Sequence, residues 1–318
     1  MSSKKASSKK IQKQLLVVFD IDETLIQFIG PKQFHVFEAS QDKLNPDSYK
    51  VFEDKRGNKS CVIFRPYLKE VIELMKNDPF YVPAIWTYSE RDYAFHIAKA
   101  ICDKFDLPFE GDAEDYESYN SDKNFFLFLY GVDDMHEEDE GDYPKNLHRI
   151  YEKYPNFNVF NTILVDDRHA NMGHKKNDEN GIYIQGFAPY GALKNREPLD
   201  ESRLNDDTFK DLIDVLKAIK KDINGCTNQE YIDSLKDPEE AVFSEKRIQR
   251  MGLEKYYRTF ATKFTKRLFL GKIPFDSKNF VDISNYNEII SRKHGGKTNK
   301  KKRRNKKKGS RKTSKRRT

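Results

Sequence analysis

Cysteine is scarce in this chain. The three present, Cys61, Cys102 and Cys226, stand far apart, with no CxxC spacing and no paired histidines. This excludes a cysteine zinc site and a disulfide framework, and it fits a reducing intracellular setting. Long apolar runs are lacking too. No window reaches the roughly 18 apolar residues of a membrane span, and the opening MSSKKASSKK has no apolar h-region. A soluble protein that is neither membrane-bound nor secreted is therefore expected. Acids are missing from one region altogether: Arg292 to Thr318 holds sixteen Lys or Arg and no Asp or Glu.

The formal charge of +7 averages two unlike parts. Lys4, Lys5, Lys9, Lys10 and Lys13 add five cations near the start, which leaves about −14 on residues 14–291. Residues 1–13 and 291–318 offer no apolar surface whose burial could offset the ordering entropy, so both are expected to be disordered. The tail suits non-specific contact with nucleic acid or another polyanion, or a nuclear address. Without interleaved aromatics it has no means of reading a base sequence.

Between these ends the pattern is α/β. Leu15-Leu16-Val17-Val18-Phe19 reads as a strand buried on both faces. The segments 34–39, 49–54 and 60–64 read as short strands of a small antiparallel insertion, with a turn at Lys55-Arg56-Gly57-Asn58. Pro66 opens a helix carrying Leu68, Val71, Ile72 and Met75 on one face. A second apolar run, Val82 to Trp86, precedes a helix over about 90–105. Residues 125–130 read as a strand, 145–154 as a short helix, 162–165 as a third buried strand and 182–184 as a fourth. A helix with Phe209, Leu212, Ile213, Leu216 and Ile219 in one stripe closes a domain spanning 14–224. Residues 229–268 read as further helix within an extension over 225–290, its aromatics packing on the main domain.

Alternating strands and helices imply a parallel sheet, whose ligands bind outside the carboxyl ends of the strands. Asp20, Thr87 and Asp166 each fall at such an end. Asp20 and Asp22 stand one residue apart behind the first strand; alone, that spacing suits an Asx-turn or helix N-cap as well as chemistry. Two such carboxylates repel unless a cation lies between them or one keeps its proton. Bound Mg2+ would keep one ionised as a nucleophile while the other exchanges a proton. Asp166-Asp167 adds oxygen ligands, Thr87 can donate to a phosphate oxygen, and Lys145 is a candidate charge neutraliser. A phosphoryl-transfer site is expected.

The order DIDET (20–24), WTYS (86–89), KNL (145–147) and VDDR (165–168) resembles the four motifs of the haloacid-dehalogenase-like phosphatases. FRP (64–66), TYSERDYA (87–94) and YPKNL (143–147) are similar to the CTD-phosphatase branch, the NLI-interacting-factor-like small phosphatases that act on phosphoserine of the RNA polymerase II C-terminal domain. The resemblance covers about residues 14–190. It implies a Rossmann-like core with a small antiparallel insertion, followed here by the helical extension. It further implies that Asp20 attacks phosphorus to form an aspartyl phosphate, that Asp22 is general acid and base, and that Thr24 supports the loop. Thr87 and Lys145 would hold the phosphate, and Mg2+ would sit on the Asp20 carboxylate, the Asp22 carbonyl and Asp166-Asp167.

Three departures bear on the substrate surface. Arg168-His169 follows the acidic pair where the branch usually has a small residue and a proline, Glu90-Arg91 replaces small or apolar residues, and seven acids occupy 133–142 ahead of Lys145. Arg168 could bridge the acidic pair or touch substrate. Arg65 is expected to anchor a loop, and His169 and His174 lack partners at ligand spacing. The expected activity is a Mg2+-dependent phosphoprotein Ser/Thr phosphatase, with a nucleic-acid-end phosphatase or a non-catalytic polyanion-binding scaffold as alternatives.

Overall fold

All five residues of β1 (Leu15–Phe19) are buried. Leu15, Val17 and Phe19 enter one core, while Leu16 and Val18 enter another. The continuous apolar run thus feeds both faces of a covered sheet. A computed structural model describes residues 11–111, 119–135, 145–168, 171, 180–191, 197–238, 240–259 and 266–271.

After β1 the chain builds β2 (Ile26–Ile29), a short α1 (Phe34–Glu38), β3 (Tyr49–Glu53) and β4 (Lys59–Phe64). The three strands form an antiparallel sheet in the order β2-β4-β3. The turn between β3 and β4 places Gly57 at φ +79°, where a residue without Cβ is favoured. There follow α2 (Leu68–Lys76), β5 (Tyr81–Trp86), α3 (Arg91–Phe105), β6 (Leu129–Tyr130), α4 (His148–Lys153), β7 (Thr162–Asp166) and β8 (Gly181–Ile184). The last described elements are α5 (Thr208–Gly225), α6 (Asn228–Lys236), α7 (Glu245–Met251), β9 (Tyr257–Thr259) and β10 (Lys266–Leu270).

The main sheet runs β6-β5-β1-β7-β8-β10-β9, parallel throughout except for the antiparallel edge strand β9. Helices α2, α3 and α5 cover one face and α4 the other. Phe19 is in register with Ile85 on β5 and Val165 on β7. This register brings Asp20, Thr87 and Asp166 to one edge.

Four elements differ from expectation, the first being β2 (Ile26–Ile29), which takes the place in the small sheet expected of residues 34–39. Of the expected strand 34–39, Phe34–Glu38 form helix α1, because the buried pair Phe34 and Phe37 is spaced for a helical face and a helical turn opened by Pro31 leads into it. The expected strand over 125–130 is reduced to Leu129–Tyr130. Ile85 N donates to Phe128 O and Thr87 N to Tyr130 O, so the next ladder donor back along β5 falls on Pro83, which has no N–H. Finally, the helical reading over 229–268 holds only to Met251, after which β9 and β10 extend the main sheet. β10 has no β-branched residue, and its Leu268 and Leu270 are buried by sheet context, not by propensity.

Side chains from Tyr231 to Tyr257 share the core of the main domain. Tyr231, Val242, Ile248 and Tyr256 pack with α5, and Tyr256 donates to Asp211 at 3.0 Å. No helix among the described residues is long and apolar enough to cross a membrane. The chain divides into two units, and the second, Phe260–Thr265 with Ile273–Thr318, lies outside the described residues together with the basic tail.

Candidate active site

The DIDET stretch leaves β1 as a tight turn. Ile21 O accepts from Thr24 N, Leu25 N and Ile26 N, and Glu23 adopts φ +61°. A left-handed non-glycine residue is strained, so something must hold the turn. Arg65 does so. Its guanidinium donates to Glu23 O at 3.1 Å, Thr24 O at 3.0 Å and Gln185 O, and it pairs with Asp206 at 2.6 Å. Arg65 is buried and anchors the loop, as its place in FRP suggested.

Asp20, Thr87, Lys145 and Asp166 are all buried. The Lys145 ammonium lies 2.5 Å from Asp20 Oδ1 and 2.6 Å from Asp166 Oδ2. Carboxylate oxygens of Asp20, Asp166 and Asp167 fall within 4.8 Å of one another. Asp166 also accepts from Arg168 N at 2.7 Å and from Asn171 Nδ2, while Asn171 O accepts from Lys145 N. Asn171 thereby ties the lysine segment to the acidic pair. Thr24 is fully buried, and its Oγ1 accepts from Asp167 N at 3.1 Å.

Charge in this cluster is unbalanced. Burial pushes the Asp20 carboxyl up to about 7 against the pull of Lys145, with Asp166 adding repulsion. Burial likewise raises Asp167 to about 8, reinforced by Asp20, Asp166 and Glu23. Burial disfavours the charged Lys145 amine, but Asp166 and Asp20 outweigh it and keep its pKa above the ordinary value. One ammonium thus serves several carboxyls in a dry site, which leaves room for a further cation.

Asp22 points elsewhere. Its carboxylate is absent from the clustered group, and its Oδ1 accepts from Tyr93 OH at 2.5 Å. Burial raises its pKa, opposed by the Tyr93 bond and by Arg168. Of the four residues expected to hold metal, the structure therefore brings three side chains together. Thr87 Oγ1 accepts from Ser89 N at 3.2 Å, which leaves its own O–H as a donor. Arg168 is exposed, and its charge acts on Asp22, Glu23 and Asp167 from the rim.

Two of the sequence departures compensate one another. Arg91 Nε donates to Asp134 Oδ2 at 3.0 Å, and the same oxygen accepts from Gly131 N at 2.9 Å. An arginine introduced at the start of α3 is thus matched by an acid introduced after β6. Residues 136–142 of the acidic segment, with His169 and His174, lie outside the described residues. Sequence reasoning missed Asn171, Ser89 and Tyr93 as parts of the site. Tyr93 lies in the quoted TYSERDYA, but nothing in its spacing signals that a helix residue reaches Asp22.

Residues 15–226 match the profile of the NLI interacting factor-like phosphatases. Among solved structures, the chain is similar to the fission yeast RNA polymerase II CTD phosphatase Fcp1 bound to beryllium fluoride, with 18% identity and a TM-score of 0.37 over 77% of this chain and 62% of that one. A second structure of Fcp1 gives 16% identity and the same TM-score and coverages. A phosphoserine phosphatase holding a phospho-aspartyl intermediate analogue gives 16% identity and a TM-score of 0.29 over 54% of this chain and 87% of that one. The chain thus spans 62% of the length of the Fcp1 structures it matches. No curated protein matches significantly. A family profile covering more than half of the chain, laid over a parallel sheet with four motifs at one edge, means that the chain belongs to the NLI interacting factor-like phosphatases.

Proposed function

We propose that the protein is a Mg2+-dependent phosphatase of phosphoserine or phosphothreonine in proteins, acting through an aspartyl phosphate on Asp20. The observation that carries this reading is the buried Lys145 ammonium between Asp20 and Asp166, beside Asp167. Attack by a carboxylate on an anionic phosphoryl group needs positive charge at the point of attack, and phosphoryl transfer is mainly positioning and charge stabilisation.

Asp20 attacks phosphorus in line with the leaving oxygen, and Asp22 gives that oxygen its proton, so serine departs as the neutral alcohol. Asp22 then takes a proton from water, which attacks the phosphoryl group and frees Asp20. Thr87 donates its hydroxyl to a phosphate oxygen, and Lys145 balances charge as the oxygens pass between ester and acyl phosphate. Asp20, Asp166 and Asp167, with the Asp22 carbonyl, are the residues that would hold Mg2+. Their oxygen-only donor set and unbalanced negative charge fit a hard divalent ion. Such an ion supplies the charge that lets a phosphate approach carboxylates.

The likeness to the CTD-phosphatase branch supports phosphoserine of the RNA polymerase II C-terminal domain as substrate, and the sixteen cations of residues 292–318 support a nuclear, polyanion-associated setting. The same cations favour a second reading, in which the phosphate sits on a nucleic-acid end. Rates on phosphoserine heptad peptides and 3′-phosphorylated oligonucleotides, with Mg2+ and with EDTA, separate the two. Faster peptide turnover that EDTA abolishes is expected. Faster oligonucleotide turnover would move the substrate to nucleic acid, and no hydrolysis across the panel would make the protein a scaffold.

A further inference from the structure

Tyr93 is one of two side chains that bond to the Asp22 carboxyl, Ser89 being the other. Tyr93 occupies the first turn of α3, and its hydroxyl reaches across to the loop after β1 to donate to Asp22 Oδ1 at 2.5 Å. Asp20, Asp166 and Asp167 cluster together, and the Asp22 carboxylate is not among them. A second carboxylate one residue from Asp20, in a site already rich in carboxyls, would be drawn to any cation that the others hold. The Tyr93 bond opposes that, since it ties one oxygen of Asp22 to a neutral donor on a different element.

The mount is rigid. Arg91, two residues before Tyr93, pairs with Asp134, and Val132 N donates to Ser89 O at 2.9 Å. A Cβ at Gly131 would stand 2.6 Å from Arg91 N and 2.8 Å from Ser89 O, so only glycine lets the turn after β6 lie this close to the start of α3. The Tyr93 ring packs edge-on against Phe28 of β2, with centroids 5.6 Å apart. Helix, turn and insertion sheet thus converge to hold one phenol oxygen.

We infer that Tyr93 is a positioning residue for the acid step: by occupying Asp22 Oδ1 it leaves Oδ2 as the oxygen that carries the proton to the departing alcohol. The inference rests on the reading of Asp22 as general acid. As the P–O bond breaks, its electron pair goes to the leaving oxygen, the proton passes from Oδ2 to that oxygen, and Asp22 becomes a carboxylate with Oδ1 still bonded to Tyr93. In the second step Oδ2 recovers a proton from the attacking water. Oδ1 accepts throughout, so the tyrosine never changes partner.

Proton donation matters for a poor leaving group and little for a good one. The test compares kcat/KM, which reports the phosphorylation step, on a phosphoserine peptide and on p-nitrophenyl phosphate. Asp22→Asn examines the underlying reading, Tyr93→Phe the positioning, and Phe28→Leu the packing alone. Tyr93→Phe should lower the phosphoserine value about ten-fold more than the p-nitrophenyl value, with Asp22→Asn splitting the two substrates more widely still. Phe28→Leu should lower Tm without splitting them. If Asp22→Asn splits the substrates and Tyr93→Phe depresses both alike, the inference is overturned while the acid role stands. A split as wide in Phe28→Leu assigns the effect to packing and also overturns it. If Asp22→Asn shows no split, the acid reading fails and the inference with it.

Discussion

Lys145 Nζ lies 2.5 Å from Asp20 Oδ1, and both groups are buried. The lysine follows a stretch rich in acids in the sequence, yet its ammonium sits at the floor of the sheet edge because Lys145 N donates to Asn171 O and Asn171 holds Asp166. Replacing it with alanine leaves Asp20 and Asp166 facing each other without their shared cation. Lys145→Ala should lower kcat/KM by at least about 100-fold and cost about 3 kcal/mol of stability, the scale of breaking a buried pair by removing one partner. Phosphopeptide kinetics and urea denaturation check the two effects.

The carboxyls of Asp20 and Asp167 are raised to about 7 and about 8, chiefly by burial. In an unfolded chain they titrate near 3.9. Between about pH 4 and pH 8 the native state therefore holds more protons than the unfolded one, and its stability falls as pH rises. In EDTA, Tm should decline across this window, and Asp167→Asn should flatten the decline because its amide does not titrate. Added Mg2+ should raise Tm more at about pH 8 than at about pH 6, since its ligands bind deprotonated. Thermal melts across pH, with and without the ion, test the sign.

Arg65 fills its role through geometry as much as charge, with donors spread over Glu23 O, Thr24 O and Gln185 O and an ion pair to Asp206. Lysine cannot reproduce that fork. Arg65→Lys should destabilise the protein by about 2–4 kcal/mol and reduce turnover, because the Glu23 turn loses the contacts that hold its positive φ. Calorimetry beside a phosphopeptide assay measures both.

Thr24 has a narrower function. Its Oγ1 accepts from Asp167 N and links the nucleophile loop to the acidic pair. Thr24→Val keeps the shape and loses the acceptor, so it should cost about 1–3 kcal/mol and weaken Mg2+ binding, whereas Thr24→Ser should retain most of both. Titration calorimetry with Mg2+ alone follows the binding.

The sheet was legible where one physical demand dominated. Leu15–Phe19 and Thr162–Val165 are apolar at every position or nearly so, and only a strand covered on both faces uses such a run. The convergence of Asp20, Thr87 and Asp166 followed from the parallel order, which needs no knowledge of side-chain detail. What stayed hidden depends on contacts distant in sequence. Pro83 shortens β6 from the neighbouring strand, Phe34 and Phe37 turn residues that look strand-like into α1, and β10 is a strand through its pairing with β8 and β9. At the site, Asn171 and Tyr93 act through Asp166 and Asp22, across 5 and 71 residues, and no local pattern reports such reach.

The central claim is that Asp20 carries the phosphoryl group. Acid-quenched protein from a brief reaction with phosphoserine peptide and Mg2+ can be digested and mapped by mass spectrometry. One phosphoryl group on the peptide containing Asp20, labile to hydroxylamine and absent in Asp20→Asn, is the predicted result. A phosphoryl group on another residue, or undiminished turnover in Asp20→Asn, would contradict it.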